Sequence, residues 1–325
     1  MVAFNDTLFA SFRIIKNSQP ISKYCESGCS FSNPNVIHYS QTSYLLPLFV
    51  IVFDLFVQIL NVLFIISRKY LKNGSFFAML FIMSLVIIIR SLIVILSYIS
   101  TAFDLGFSVS YAMYADFFSN FFSLPIIFLM SLNRYLCFVS NYFNEMLFER
   151  NRFVIPVLVS ISISGLATFG SITSSQIKRA FYNYVGFVDY NTVPGFKTSI
   201  ARVFYIFPLG STICYILLFL HLKQQSKLVM MSTRNVEQKV FAQLLVTAIL
   251  YGLMSIFIEA ILFLDGVLDN YQVVSLISIL NIINYLPGIS LPLMLMLSTF
   301  KFGKKPKQIA IKDIANSTTA SILNK

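Results

Sequence analysis

The chain has 325 residues, 57% of them hydrophobic and only 11% charged, with a formal net charge of +11. Soluble domains carry about a quarter charged residues, so this composition excludes an ordinary soluble enzyme or binding domain. The Lys and Arg residues sit between apolar stretches, which assigns the positive charge to a membrane surface and not to nucleic acid.

Seven apolar stretches follow one another: Tyr44–Ser67, Ser75–Ile99, Tyr111–Val139, Phe153–Ser174, Ala201–Leu220, Val240–Leu264 and Val273–Ser298. Each has at least 20 residues, enough to cross a hydrocarbon core of about 30 Å at about 1.5 Å rise per residue. The predicted fold is an all-α membrane protein, a seven-helix transmembrane bundle over residues 44–302. An outer segment, 1–43, precedes it and a cytoplasmic tail, 303–325, follows, with no room for a soluble catalytic domain.

Fifteen Lys and Arg residues fall on the face that carries the C-terminal tail and seven on the other. The positive-inside bias therefore puts the N-terminus outside and the C-terminus in the cytoplasm. The N-terminus has no charged start followed by an apolar run, so the first span is expected to act as the insertion signal. Asn5-Asp6-Thr7 forms a glycosylation sequon on the outer face. Cys25 and Cys29 lie on the same side, where a short disulfide is permitted although a five-residue loop is tight. Cys137 and Cys214 fall at or within spans and read as buried small apolar side chains. His38 and His221 are the only histidines, so neither a metal site nor a cofactor is expected.

Loops 68–74, 100–110 and 265–272 are short enough to make neighbouring helices antiparallel hairpins. Residues 175–200 read as an irregular outer lid, and the basic segment 221–239 as an inner extension of the fifth and sixth helices. Pro125, Pro208, Pro287 and Pro292 each remove a backbone hydrogen bond within a span. Pro287 and Pro292, with Gly288 between them, point to a bend in the last helix, and Pro208 to one in the fifth.

The third span ends in Ser131-Leu132-Asn133-Arg134-Tyr135-Leu136-Cys137, and Asn133-Arg134-Tyr135 resembles the Asp/Glu-Arg-Tyr motif of rhodopsin-like G-protein-coupled receptors. Asn61-Val62, Pro208, Glu237, Pro292 and Phe300-Lys301-Phe302 stand where that family has an Asn-Val pair, a fifth-span proline, an acid before the sixth span, a last-span proline and a short amphipathic helix. The motif's acid is Asn133 here, the chain has no tryptophan, and Leu295 stands where the family has Tyr. Such altered motifs, with many Phe and Ile, are similar to nematode serpentine chemoreceptors of the Srg superfamily, and Asn133-Arg134-Tyr135-Leu136-Cys137-Phe138 resembles the Srxa group. The resemblance implies a sensory plasma-membrane receptor, expected in sensory neurons, that binds a small molecule and signals to a heterotrimeric G protein. It implies that Arg134 holds the resting state and contacts the G protein, with Asn133, Tyr135 and Glu237 part of that switch.

Ionisable groups at bilayer depth need a partner or water. Asp54 and Arg90 stand about 20 and 22 Å above the inner helix ends, so an Asp54–Arg90 ion pair is the simplest account, with Arg90 facing a ligand as the alternative. Asp116 lies 18 residues, five helical turns, before Arg134, and the two share a face. Glu259 reaches about the same height on the sixth helix. In the family that Asp116 position holds an acid that binds amines, and two inward carboxylates at one depth favour a cationic or hydrogen-bond-donating ligand. Asn120 is counted with Asp116, Glu259 and Arg90 among the candidate ligand contacts. The competing account is that one of the carboxylates pairs with Arg90 or Arg202.

A seven-helix transporter or ligand-gated channel is the alternative class, but no internal repeat is found. A membrane enzyme would need clustered His, Asp or Ser, and no catalytic set is present in the sequence. The topology has a direct check. A tag after Lys325 is expected to be reached by antibody only after permeabilisation, and a tag before residue 40 from outside intact cells. Both tags on one side would rule out seven spans.

Overall fold

The computed structural model describes residues 45–70, 74–103, 109–149, 152–182, 186–190, 196–225, scattered positions between 246 and 283, and 285–300. The expectations for Asn5, Cys25, Cys29, Glu237 and the tail 303–325, and most of the sixth span, lie outside these residues. In chain order the elements are α1 (Leu45–Ser67), α2 (Ser75–Phe103), α3 (Val109–Val139), α4 (Asn141–Phe148) and α5 (Val154–Ser174). A hairpin of β1 (Lys178–Tyr182) and β2 (Gly186–Tyr190) follows, then α6 (Lys197–Phe204), α7 (Ile206–Gln225) and α8 (Leu286–Phe300).

Among the described residues, five helical segments are long and apolar enough to cross a membrane: Leu46–Ser67, Ser75–Thr101, Val109–Val139, Val154–Ser174 and Lys197–His221. The chain is a helical, multi-pass membrane protein. Of the last two expected spans, one is represented by the shorter apolar helix Leu286–Met296. For the other, the residues described between 246 and 259 are each helical.

The bundle has a lipid-facing outside and a mixed inside. On α1, Phe49, Phe53, Phe56 and Leu63 are exposed, whereas Asp54, Gln58 and Asn61 are all at most 1% exposed. Those three polar residues follow the i, i+4, i+7 spacing of one helix face, so α1 turns its polar stripe inward and its rings toward lipid. The main apolar core joins α1, α2, α3, α7 and α8 through Ile65, Met79, Met83, Phe122, Ile126, Met130, Tyr215 and Leu291.

α5 packs against α3 with a different face. Val157, Ser160, Ser164, Ala167, Thr168, Ser171 and Ile172 are its buried residues, mostly small. In lipid no apolar driving force favours helix association, and small side chains gain contact by letting backbones come close. Two of its hydroxyls cost little there, because Ser160 and Thr168 bond back to the Pro156 and Ser164 carbonyls at 2.8 Å each, whereas Ser164 and Ser171 Oγ are buried without a partner among the described residues.

The fifth span is in two pieces. Pro208 has no N–H and its ring crowds the carbonyl of Phe204, four residues earlier. The helix accordingly stops at Phe204 and restarts at Ile206. Tyr205 at the break bonds to the Arg202 carbonyl, three residues back, at 3.1 Å. A comparable break stands at Tyr285, so Pro287 lies in the first turn of α8, where its missing N–H costs nothing. The bend therefore precedes Pro287, and Pro292 is carried inside the continuing helix. Three expectations are corrected. The outer lid contains an ordered hairpin, the fifth span starts at Lys197, four residues before Ala201, and Cys137 is exposed while Cys214 is buried.

α7 approaches α3 at Gly210, where an added Cβ would stand 2.8 Å from the Phe128 ring. Gly165 on α5 has no such neighbour within 4 Å. Gly210→Val is therefore expected to cost about 1–3 kcal/mol through overpacking. Gly165→Ala should be neutral or stabilising, because Ala is the better helix former. Thermal unfolding of the detergent-solubilised protein reads both, and equal effects would contradict this packing.

Candidate functional site: a buried charge ladder beneath the outer hairpin

The hairpin is antiparallel, with Arg179 opposite Asp189. The pair is bidentate, Arg179 Nε to Asp189 Oδ1 at 2.6 Å and Nη2 to Oδ2 at 2.8 Å. Such a fork-on-fork match is the strongest arrangement these groups make. The third nitrogen of the same guanidinium, Nη1, donates to Asp116 Oδ2 on α3. Asp116 Oδ1 in turn accepts from Arg90 Nε on α2 at 2.7 Å. The charges thus alternate from β2 through β1 and α3 to α2, with Arg90 and Arg179 side chains each 6% exposed and Asp116 14%.

Aromatic rings wrap this ladder. Arg90 lies over the Tyr285 ring at 4.2 Å and Arg179 over Phe187 at 5.6 Å. Phe187 also meets Tyr98 edge-on at 4.4 Å, which seats β2 against α2. The Lys197 ammonium sits 5.3 Å above the Phe117 ring. Burial opposes the charge of Arg179, but the carboxylates of Asp116 and Asp189 and the hydrogen bonds to both outweigh it and push the guanidinium above its ordinary value. The group stays charged at any pH the protein meets.

The sequence-predicted ligand residues are distributed differently from expectation. Asp116 faces inward beneath the hairpin, but two arginines already neutralise it. Glu259 is paired with Arg202 through bonds of 3.0 and 2.8 Å at an exposed position. The two carboxylates expected to share a cationic ligand are therefore each claimed by arginine. Asn120, one turn inward of Asp116, is half-buried and makes no side-chain hydrogen bond among the described residues.

The expected Asp54–Arg90 ion pair is corrected. Arg90 binds Asp116 instead, and Asp54 Oδ1 accepts from Gln58 Nε2 at 3.1 Å. Depth arithmetic placed both residues at one height, but height does not give direction around the helix axis. The same Gln58 amide donates to the Gly288 carbonyl at 2.9 Å and ties α1 to α8. Asn61 Nδ2 donates to Ser84 Oγ at 2.8 Å and ties α1 to α2. Gln58, Arg179 and Asp189 were missed from sequence. Gln58 was visible as the middle of the Asp54, Gln58, Asn61 stripe, and the other two as residues flanking the β-prone Phe181 to Val188 segment.

At the inner end, Asn133 Nδ2 donates to Ser75 Oγ at 3.1 Å and to Asn144 Oδ1 at 3.0 Å. The residue replacing the family's acid thus joins the ends of α2, α3 and α4. Arg134 stacks on the Phe76 ring at 4.2 Å, and Tyr135 packs against the main core. The Ser131 and Tyr215 hydroxyls are hydrogen-bonded at 2.6 Å and join α3 to α7. A separate groove of about 640 Å³ opens between α5 and α6, lined by Phe169, Val203 and Phe204 among others, and does not reach the ladder.

No protein-family model and no curated protein matches the chain. The ladder itself makes a sharp prediction. Arg179→Met leaves Asp189 and part of Asp116 without their cation, and breaking a buried pair this way costs about 3–5 kcal/mol. Hydrogen exchange of the amides in 178–190 should rise sharply while the inner halves of α2 and α3 keep their protection. Unchanged exchange in the hairpin would show that the ladder does not hold it.

Proposed function

We propose that the chain is a seven-helix, G-protein-coupled chemosensory receptor of the nematode serpentine type. It takes a small molecule in the outer half of the bundle and signals at the inner half. The observation that carries this reading is the construction of α3, the helix that packs on most of the others. Its outer end presents Asp116 to a hairpin that covers the bundle, and its inner end presents Asn133-Arg134-Tyr135.

The inner end supports a switch. Asn133 is committed to Ser75 and Asn144, so it offers Arg134 no carboxylate. Arg134 lies on the Phe76 ring at 4.2 Å. Glu237, at the base of the sixth span, is the acid proposed to hold it at rest. Neither Asp116 nor Glu259 is left over to bind a cationic ligand, so the ligand is not read as an amine.

Expression with a G-protein reporter tests this. Arg134→Ala should abolish coupling while surface expression persists, and Glu237→Ala should raise ligand-independent signalling. Ion flux in cells lacking G proteins would favour a channel instead. Unchanged basal activity in Glu237→Ala would remove the proposed inner lock.

A further inference from the structure

Below the ladder lies a seam of unmade hydrogen bonds. Asp54 on α1 and Arg90 on α2 are 1% and 5% exposed, yet among the described residues Asp54 Oδ2 and Arg90 Nη2 have no hydrogen-bond partner. The two side chains attract each other electrostatically but do not form an ion pair. Gln58 Oε1 on α1 and Ser119 Oγ on α3, one turn inward of Asp116, are buried and without a partner as well. Unpaired hydroxyls also occur elsewhere among the described residues, at Ser91, Ser164, Ser171 and Ser211, but these four atoms from three adjacent helices include a carboxylate and a guanidinium, the groups that most need a partner. Gly288 borders the seam from α8, where an added Cβ would stand 3.7 Å from Ile87 Cδ1 and 4.0 Å from Asp54 Oδ1.

The flanking charges select the occupant's chemistry. A cation would meet Arg90, and an anion would meet Asp54. A neutral group that accepts one hydrogen bond and donates another meets both needs. The Tyr285 ring under Arg90, and Tyr98 and Phe187 above, supply apolar contact for the rest of a molecule. We propose that this seam binds the neutral hydroxyl or primary-amide head of a small apolar ligand, which accepts from Arg90 Nη2 and donates to Asp54 Oδ2. The inference rests on the receptor reading and names the ligand class for it. Water offers the same donor and acceptor, so the experiment separates the two sources.

The purified full-length protein is titrated with four probes of one size: benzyl alcohol, benzamide, benzylamine and benzoate. Its thermal midpoint is followed for the wild type, Arg90→Lys, Asp54→Asn and Ser119→Val. The alcohol and amide should stabilise the wild type saturably, and the amine and the acid should not. Apparent affinity should fall at least about tenfold in each variant, equivalent to about 1.4 kcal/mol. Ser119→Val keeps both charges and guards against loss through misfolding. A better response to either charged probe, or no saturable response to any of the four, overturns the proposal. An experimental density map showing a direct Arg90–Asp54 pair, or only water held between them with the neutral probes present, does the same. Selective binding without any G-protein response would overturn the receptor reading and leave this inference standing.

Discussion

A charged carboxylate in the membrane's low-dielectric interior needs a partner, and Asp116 has two arginines. That requirement organises the outer half of the molecule. To bring Arg179 into reach, the segment after α5 must turn back over the bundle, and the antiparallel pairing of β1 and β2 is how it does so. Asp189 then neutralises the surplus charge from the second strand. Arg90 completes the set from below, held flat on Tyr285. Removing any member leaves a neighbour's charge without its partner, so the hairpin, α2 and α3 form one electrostatic unit.

The remainder of the bundle handles polarity locally. Hydroxyls of Ser97, Thr101, Ser123, Ser131, Thr173 and Thr212 bond to carbonyls four residues back, so each is satisfied within its own helix. This leaves the longer side chains, Gln58, Asn61, Asn133 and Tyr215, to make the links between helices. They sit at different heights along the bundle and act as cross-ties through an otherwise apolar core.

The spans were legible in sequence because length and hydropathy alone determine what can cross a bilayer, and α1, α2, α3 and α5 fall within a few residues of expectation. The partners of the buried charges were not. Rise per residue gives the height of Asp54, Arg90 and Asp116, but the choice of partner depends on which way each helix is turned and on what the loop above brings down. Arg179 read as one more outer-face basic residue, because its burial is created by the hairpin and by nothing in its own neighbourhood of the chain. Cys137 was misplaced for a similar reason. Residence near a helix end does not say which side of the helix meets another.

The break at Tyr205 gives the fifth span two separate anchorages. Above it, α6 is tied toward the hairpin side, with the Phe196 and Lys197 amides bonded to Ser174 and Ser175 at the end of α5. Below it, α7 is tied to α3 through Tyr215 and seated against Phe128 at Gly210. A continuous helix would transmit any tilt of its outer end rigidly to its inner end. The backbone ladder is thinned between them, since Pro208 donates no bond and Tyr205 bonds three residues back, so the span is least stiff at a fixed height between its two anchorages.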